Sequence, residues 1–325
     1  MKVLYSIVLL VTSLVTVFGQ QQAQLDKLRA EGYDALYNLD YEGARQRFLK
    51  MVELAPDDPS GAECLASSLW LQQLNETYEL KATLFSSTDI RTKSDRRQTD
   101  EFRKWIRRAK ALAEARLKKD PRNVDALYYL GAVEGLDAAY TAAVERKYVA
   151  AMRAGNSSVD HHRELLKLSP DYHDAELTIG LHNYVVGSLS LPLKMLAGTM
   201  GVRGSKKRGI ETLERVVSEG KWAVDVARIL LVDLYKREKR WDDAAKMARQ
   251  LSEKYPRNYL FKLQMADALA SQIVKLRKAN APFKTEENEL QNVFTALSRD
   301  KTVDPSKRDL INQRWTLARQ QLSPH

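Results

Sequence analysis

Apolar positions in the stretch from Leu25 to Asp58 recur at spacings of three and four. Leu28, Gly32, Ala35 and Leu36 form one set, and Ala44, Phe48 and Met51 form a second after an aromatic at Tyr41. That spacing places each set on one face of a helix, and the two faces must bury each other. Small residues at Gly32 and Ala44 let the backbones approach, Phe48 fills the space beside them, and Pro56 ends the second helix because it cannot continue one. The same order returns near the other end as Trp241, Ala244, Ala248, Leu251 and Pro256, preceded by a second apolar helix and turn. Looser copies lie at Ala109, Ala113 and Pro121, at Leu127, Leu130 and Gly131, at Gly180, and at Gly209, Leu213 and Val216.

This pattern resembles the tetratricopeptide repeat, a helical hairpin with a period of ~34 residues. The resemblance implies an all-α, right-handed α-solenoid of about six degenerate hairpins. Their expected bounds are 25–58, 59–121, 123–170, 173–221, 224–256 and 259–303, with a capping helix over 305–322 whose Trp315 and Leu317 cover the last face. A loop over 84–100 is expected as an insertion in the second unit, with Thr99 or Asp100 capping the helix that follows. The third unit predicts one long helix from about Val124 to Ala154, stopped at Gly155-Asn156. Residues 180–258 are also similar to exported bacterial tetratricopeptide proteins.

With 325 residues and 44% apolar content, a sizeable core is available. Helix formers dominate the repeats and strand signals are scarce. Residues 1–19 carry Lys2, an apolar run from Val3 to Val17 and small residues at the end. That order predicts a signal peptide cleaved after Gly19 and a mature chain exported to the periplasm or secreted. Cys64 is the one cysteine, which excludes an intramolecular disulfide and a thiolate metal cluster and predicts a small buried hydrophobe.

Charge adds two candidate surfaces to a chain of net charge +10. Arg91, Lys93, Arg96, Arg97, Arg103, Lys104, Arg107 and Arg108 make the insert and its helix basic. Residues 184–209 run apolar with Lys194 as the lone early charge, then turn basic at Arg203, Lys206, Lys207 and Arg208. Pro192 and the glycines at 187, 198 and 201 break this stretch too often for a membrane span. An interfacial element with its cations at anionic headgroups is one reading, and a buried hairpin with a solvated loop is the other.

No catalytic constellation emerges: there is no Gly-x-Ser-x-Gly elbow, no phosphate loop after a strand and no His-Glu-x-x-His pair. His161, His162, His173 and His182 cluster in sequence, but their spacing lacks an i, i+4 pair, so capping and inter-helix hydrogen bonds account for them without a metal. The chain reads as a non-enzyme with no cofactor and no nucleic-acid partner. The leading expectation is an exported scaffold that grips a protein or peptide segment in a concave groove lined by the first helices, with Tyr33, Tyr37, Trp70, Tyr128, Leu181 and Tyr184 on its wall. The alternative is a peripheral envelope or lipid-associated protein using 184–209 and 91–108.

Overall fold

A computed structural model describes residues 2–76, 96–199 and 201–322, with side chains from Gly19 onward apart from those at 196, 197, 199 and 321. Fourteen α-helices and two short 3-10 turns make up the regular structure of the described residues, which contain no strand. Helices pair in chain order: α1 (Lys2–Tyr37) with α2 (Tyr41–Leu54), α3 (Pro59–Glu76) with α4 (Arg96–Lys119), and α5 (Val124–Ala143) with α6 (Tyr148–Leu168). Then α7 (Glu176–Ser188) pairs with α9 (Lys206–Glu219) around a short α8 (Leu191–Thr199). The last pairs are α10 (Val224–Arg237) with α11 (Trp241–Lys254) and α12 (Tyr259–Lys278) with α13 (Lys284–Arg299), before a final α14 (Arg308–Leu322). Each pair stacks on the next, giving a tetratricopeptide-like α-solenoid.

The hairpin chemistry is local. A Cβ on Gly32 would stand 2.3 Å from Phe48 Cε1, so the Phe48 ring occupies the space that glycine leaves. Asp40 caps α2 by accepting the Gly43 N–H at 2.9 Å. Leu39 and Lys239, both in the left-handed region, reverse the chain in the first and fifth hairpins. The following N–H then returns to the preceding helix, from Asp40 to the Ala35 carbonyl and from Arg240 to that of Tyr235.

Three expectations are corrected. The long helix over 124–154 is two helices, because Arg146 takes a left-handed φ of 57° in a turn after α5, and Gly155 lies inside α6. Thr99 and Asp100 are not caps, since α4 already begins at Arg96; residues 84–95 of the expected insert, with Arg91 and Lys93, lie outside the described residues. In α14, Trp315 packs on Phe294 with ring centroids 4.6 Å apart, but Leu317 is exposed. The expected cleavage point after Gly19 falls within the backbone of α1.

The stack does not stay open. Tyr37, at the end of α1, is buried in the core formed by α9 to α14, with its ring 5.1 Å from Tyr255. Asn258 Nδ2 donates to the Tyr37 carbonyl at 2.7 Å while Asn258 Oδ1 caps α12 by accepting the Leu260 N–H at 3.0 Å. Arg257 N–H reaches Asn38 Oδ1 at 3.3 Å, and Lys221 Nζ reaches Asp26 at 3.3 Å. The first hairpin therefore touches the connections before α10 and α12, about 200 residues on.

Candidate functional site

Closure narrows the expected open groove to a chamber of about 450 Å³ that stays partly open to solvent. Its wall comes from the first helices of five hairpins, α1, α3, α5, α7 and α10, together with α6. On α5 the residues Ala132, Gly135, Ala138, Ala139 and Ala142 share the chamber side, and their small size leaves the volume empty. Large side chains close the remaining sides, with Trp70 packed edge-on against Tyr140 at 5.6 Å. The chamber reaches the surface beside Tyr148, which is 63% exposed.

Of the sequence candidates, Tyr33, Tyr37, Trp70, Tyr128 and Leu181 lie on this wall. Tyr184 does not. It is buried between α7 and α9, donating its hydroxyl to Glu238 at 2.8 Å, because α7 turns a glycine face toward α9: a Cβ on Gly209 would stand 2.7 Å from both the Gly180 carbonyl oxygen and the Tyr184 nitrogen. Burial raises the Tyr33, Tyr37 and Tyr128 hydroxyls above their usual range, so each stays neutral.

The histidines separate. His162 faces the chamber, donating from Nε2 to the Tyr128 carbonyl at 2.9 Å and accepting on Nδ1 from Thr178 at 2.5 Å, a pairing that fixes its tautomer. Burial pulls it down to about 4, so it is neutral at physiological pH. Gly131 makes room for this ring, since a Cβ there would meet His162 Cδ2 at 2.3 Å. His161 pairs with Glu134 at 2.9 Å, His173 with Glu219 at 3.0 Å, and His182 with Asn156 at 2.8 Å. Among the described residues no three His, Cys, Asp or Glu side chains converge into a group that could hold a metal. Cys64 is buried, its thiol donating to the Tyr33 hydroxyl at 3.6 Å, and burial pushes it up to about 12.

Sequence reading missed the charged residues of the wall. Arg29 on α1 is 5% exposed and stands over the Trp222 ring at 4.5 Å. It lines the apolar chamber and also a second cavity of about 420 Å³, whose wall includes Asp26, Asp58, Asp125, Asp171, Asp174 and Glu219. Arg29, Asp174 and Trp222 are common to both cavities and divide them. Asp174 is held in place by the N–H groups of Lys221, Trp222 and Ala223 at 2.8–3.0 Å, which it caps. A lone arginine on an amphipathic helix gives no sequence signal of its burial.

The basic candidates take varied positions. Lys206, Lys207 and Arg208 form the first turn of α9 behind the Ser205 cap rather than a loop. Lys206 pairs with Glu238 at 2.8 Å, Lys207 lies 3.8 Å from Glu211, and Arg203 is exposed. In the other basic region, Arg103 is tied to Asp137, Glu145 and Thr141 of the third hairpin, which removes it from any surface patch. Leu191, Leu193 and Met195 of α8 are exposed at 50–72%.

No family model matches the chain, and no curated protein matches it. Several solved structures are similar. One is the crystal structure of TTC0263, a thermophilic TPR protein of Thermus thermophilus, at 16% identity over 77% of this chain and 98% of that chain, with a TM-score of 0.42. Another is a tetratricopeptide repeat protein from Parabacteroides merdae, at 13% identity over 91% of this chain and 99% of that chain, with a TM-score of 0.31. A third is the human IFIT1 dimer with m7Gppp-AAAA, at 13% identity over 84% of this chain and 63% of that chain, with a TM-score of 0.39. The solenoid fold stands on the helix packing already described.

Proposed function

We propose that this protein is a non-catalytic binding scaffold that receives an elongated apolar ligand segment in the chamber. The observation that carries the reading is the recessed volume of about 450 Å³, within the range of small-molecule pockets, walled mostly by aromatic, aliphatic and very small residues, with Arg29, Glu63, Asp174 and Asp233 among them. Burying apolar ligand surface there supplies the driving force. Because the solenoid closes on itself, a protein or peptide partner must insert a segment at the Tyr148 end instead of lying along an open groove. Most polar groups of the wall are engaged within the fold, Arg29 and Glu63 being the exceptions, which supports binding over chemistry. Export after cleavage near Gly19 belongs to the same proposal and places the ligand outside the cytoplasm.

The test uses the neutral fluorophore N-phenyl-1-naphthylamine, whose emission rises in apolar surroundings. The full chain should bind it saturably, and Ala139→Phe, which fills the chamber from α5, should bind it at least ten times more weakly at an unchanged melting temperature. Equal binding by the folded variant would move the site elsewhere. A second reading, contact with an envelope lipid surface, is favoured by one observation: α8 exposes Leu191, Leu193 and Met195 just before the cations Arg203, Lys207 and Arg208. Salt-sensitive flotation with anionic vesicles, lost on changing the three cations to Gln, is the outcome that reading requires.

A further inference from the structure

The division between the cavities carries a charge for which the described fold supplies no counterion. Arg29 is 95% buried by area (5% exposed), yet none of the ion pairs among the described residues involves it. Its hydrogen bond runs from Nη1 to the neutral Tyr129 hydroxyl at 3.1 Å, and its Nε is buried without a partner. The rings of Trp222, Tyr129 and Tyr33 face it at 4.5, 5.8 and 6.0 Å, a cation–π cage that offsets only part of the lost hydration. Three of the neighbouring carboxylates are occupied elsewhere, while Asp125 and Asp171 share the polar cavity with Arg29 and form no ion pair with it. Asp26 faces Lys221, Asp58 pairs with Arg116 at 2.8 Å, and Asp174 is filled by three backbone N–H groups. Glu63, on the same chamber wall, accepts from Ser67 at 2.6 Å through one oxygen and leaves the other unpartnered.

We propose that Arg29 anchors the carboxylate of a single-chain amphiphile, of the long-chain fatty acid class, whose hydrocarbon tail fills the chamber. The proposal rests on the chamber being the binding site and names the ligand it takes. One guanidinium matches one carboxylate in charge, and with Nη1 on Tyr129 and Nε buried the contact runs through Nη2 as a single charge-assisted hydrogen bond. A chain of methylenes suits the wall better than a polypeptide does, because every peptide unit brings an N–H and a C=O that need partners. Along α5 the wall offers them alanine and glycine. A chamber of about 450 Å³ has room for a hydrocarbon chain. Polarity is arranged along its length: the open end at Tyr148 is apolar, with the exposed Leu191, Leu193 and Met195 of α8 following Leu189 on the rim. At the inner end, the acidic residues of the second cavity stand behind Arg29 and repel an anion from going further.

The experiment is competition against N-phenyl-1-naphthylamine on the full chain, with hexadecanoate, hexadecanol, hexadecyl phosphate and an apolar hexapeptide ending in a free carboxylate. Hexadecanoate should bind on the order of 10- to 100-fold tighter than hexadecanol, the span expected of a hydrogen bond to a charged group. Arg29→Gln should erase that preference while keeping the affinity for the fluorophore and hexadecanol, and Glu63→Gln should keep or widen it. Equal affinity of acid and alcohol for the wild type overturns the anchor by itself, whether or not Arg29→Gln folds. Tighter binding of hexadecyl phosphate or of the hexapeptide overturns the ligand class. If the fluorophore and hexadecanol bind and the acid gains nothing, only the anchor falls; if none of them binds, the chamber reading falls with it.

Discussion

The two cavities on either side of Arg29 and Trp222 have nearly the same volume, about 450 and 420 Å³, and opposite chemistry. The apolar chamber is built from the inner faces of helices. The polar cavity is built largely from helix ends and the connections between hairpins: Asp58 before α3 and Ser60 in its first turn, Asp125 in the first turn of α5, Asp171 to Asp174 before α7, and Glu219 to Trp222 before α10. Helix starts carry unsatisfied N–H groups and the positive end of the dipole, so carboxylates gather there. Helix faces at three- and four-residue spacing carry the apolar stripe. One closure of the solenoid therefore produces an apolar cavity and a polar one side by side, and the difference follows from which part of each hairpin faces inward.

The sharpest way to break this contrast is to reopen the ring. Tyr37→Ala removes a buried side chain that joins α1 to the core of the last hairpins, and it should cost about 4 kcal/mol, the range of large aromatic truncations. Chemical denaturation should show the loss, and a folded remnant should no longer bind the neutral fluorophore. On the polar side, Asp174→Ala strips the acceptor shared by the N–H groups of Lys221, Trp222 and Ala223. A loss of about 3 kcal/mol is expected from orphaned donors at a helix start, with faster hydrogen exchange at those three amides as the readout.

The contrast sharpens with pH through His162, on the apolar side. Its folded pKa of about 4 lies below the ordinary 6.5, so the unfolded chain takes up a proton first as pH falls. The stabilisation is complete above pH 6.5, declines below it, and is lost as pH approaches 4. By pH 4.5 the loss should reach roughly 2–3 kcal/mol, since each pH unit between the two values is worth ~1.36 kcal/mol. A His162→Gln variant should show a flatter stability profile over that window. The smallest effect is expected on the polar rim, where Asp26→Asn breaks an exposed pair with Lys221. That change should cost less than about 1 kcal/mol and shrink further in high salt.

Periodicity alone identified the hairpins because the repeat needs small residues at fixed places, and Gly32 beside Phe48 shows the constraint acting through contact. It also put Tyr33, Tyr37, Trp70, Tyr128 and Leu181 on the inner side, since first-helix residues opposite the stacking face must point there. Tyr184 was misplaced because α7 packs on α9 through glycines, so its backbone sits closer and its tyrosine is drawn into the core. The long helix expected over 124–154 failed for a local reason, the left-handed Arg146, which any helical pattern conceals when the residue is not glycine.

What the sequence determined was the all-helical class, the hairpins in their order, and the solitary thiol, all of which depend on spacing within about forty residues. What only the tertiary structure decided was contact across about 200 residues: Asn258 on the Tyr37 carbonyl, Trp222 over Arg29, and Lys221 on Asp26. A solenoid's small rotation per hairpin accumulates, and no local pattern records the sum. That sum turns a groove into a chamber and buries Arg29 between two cavities.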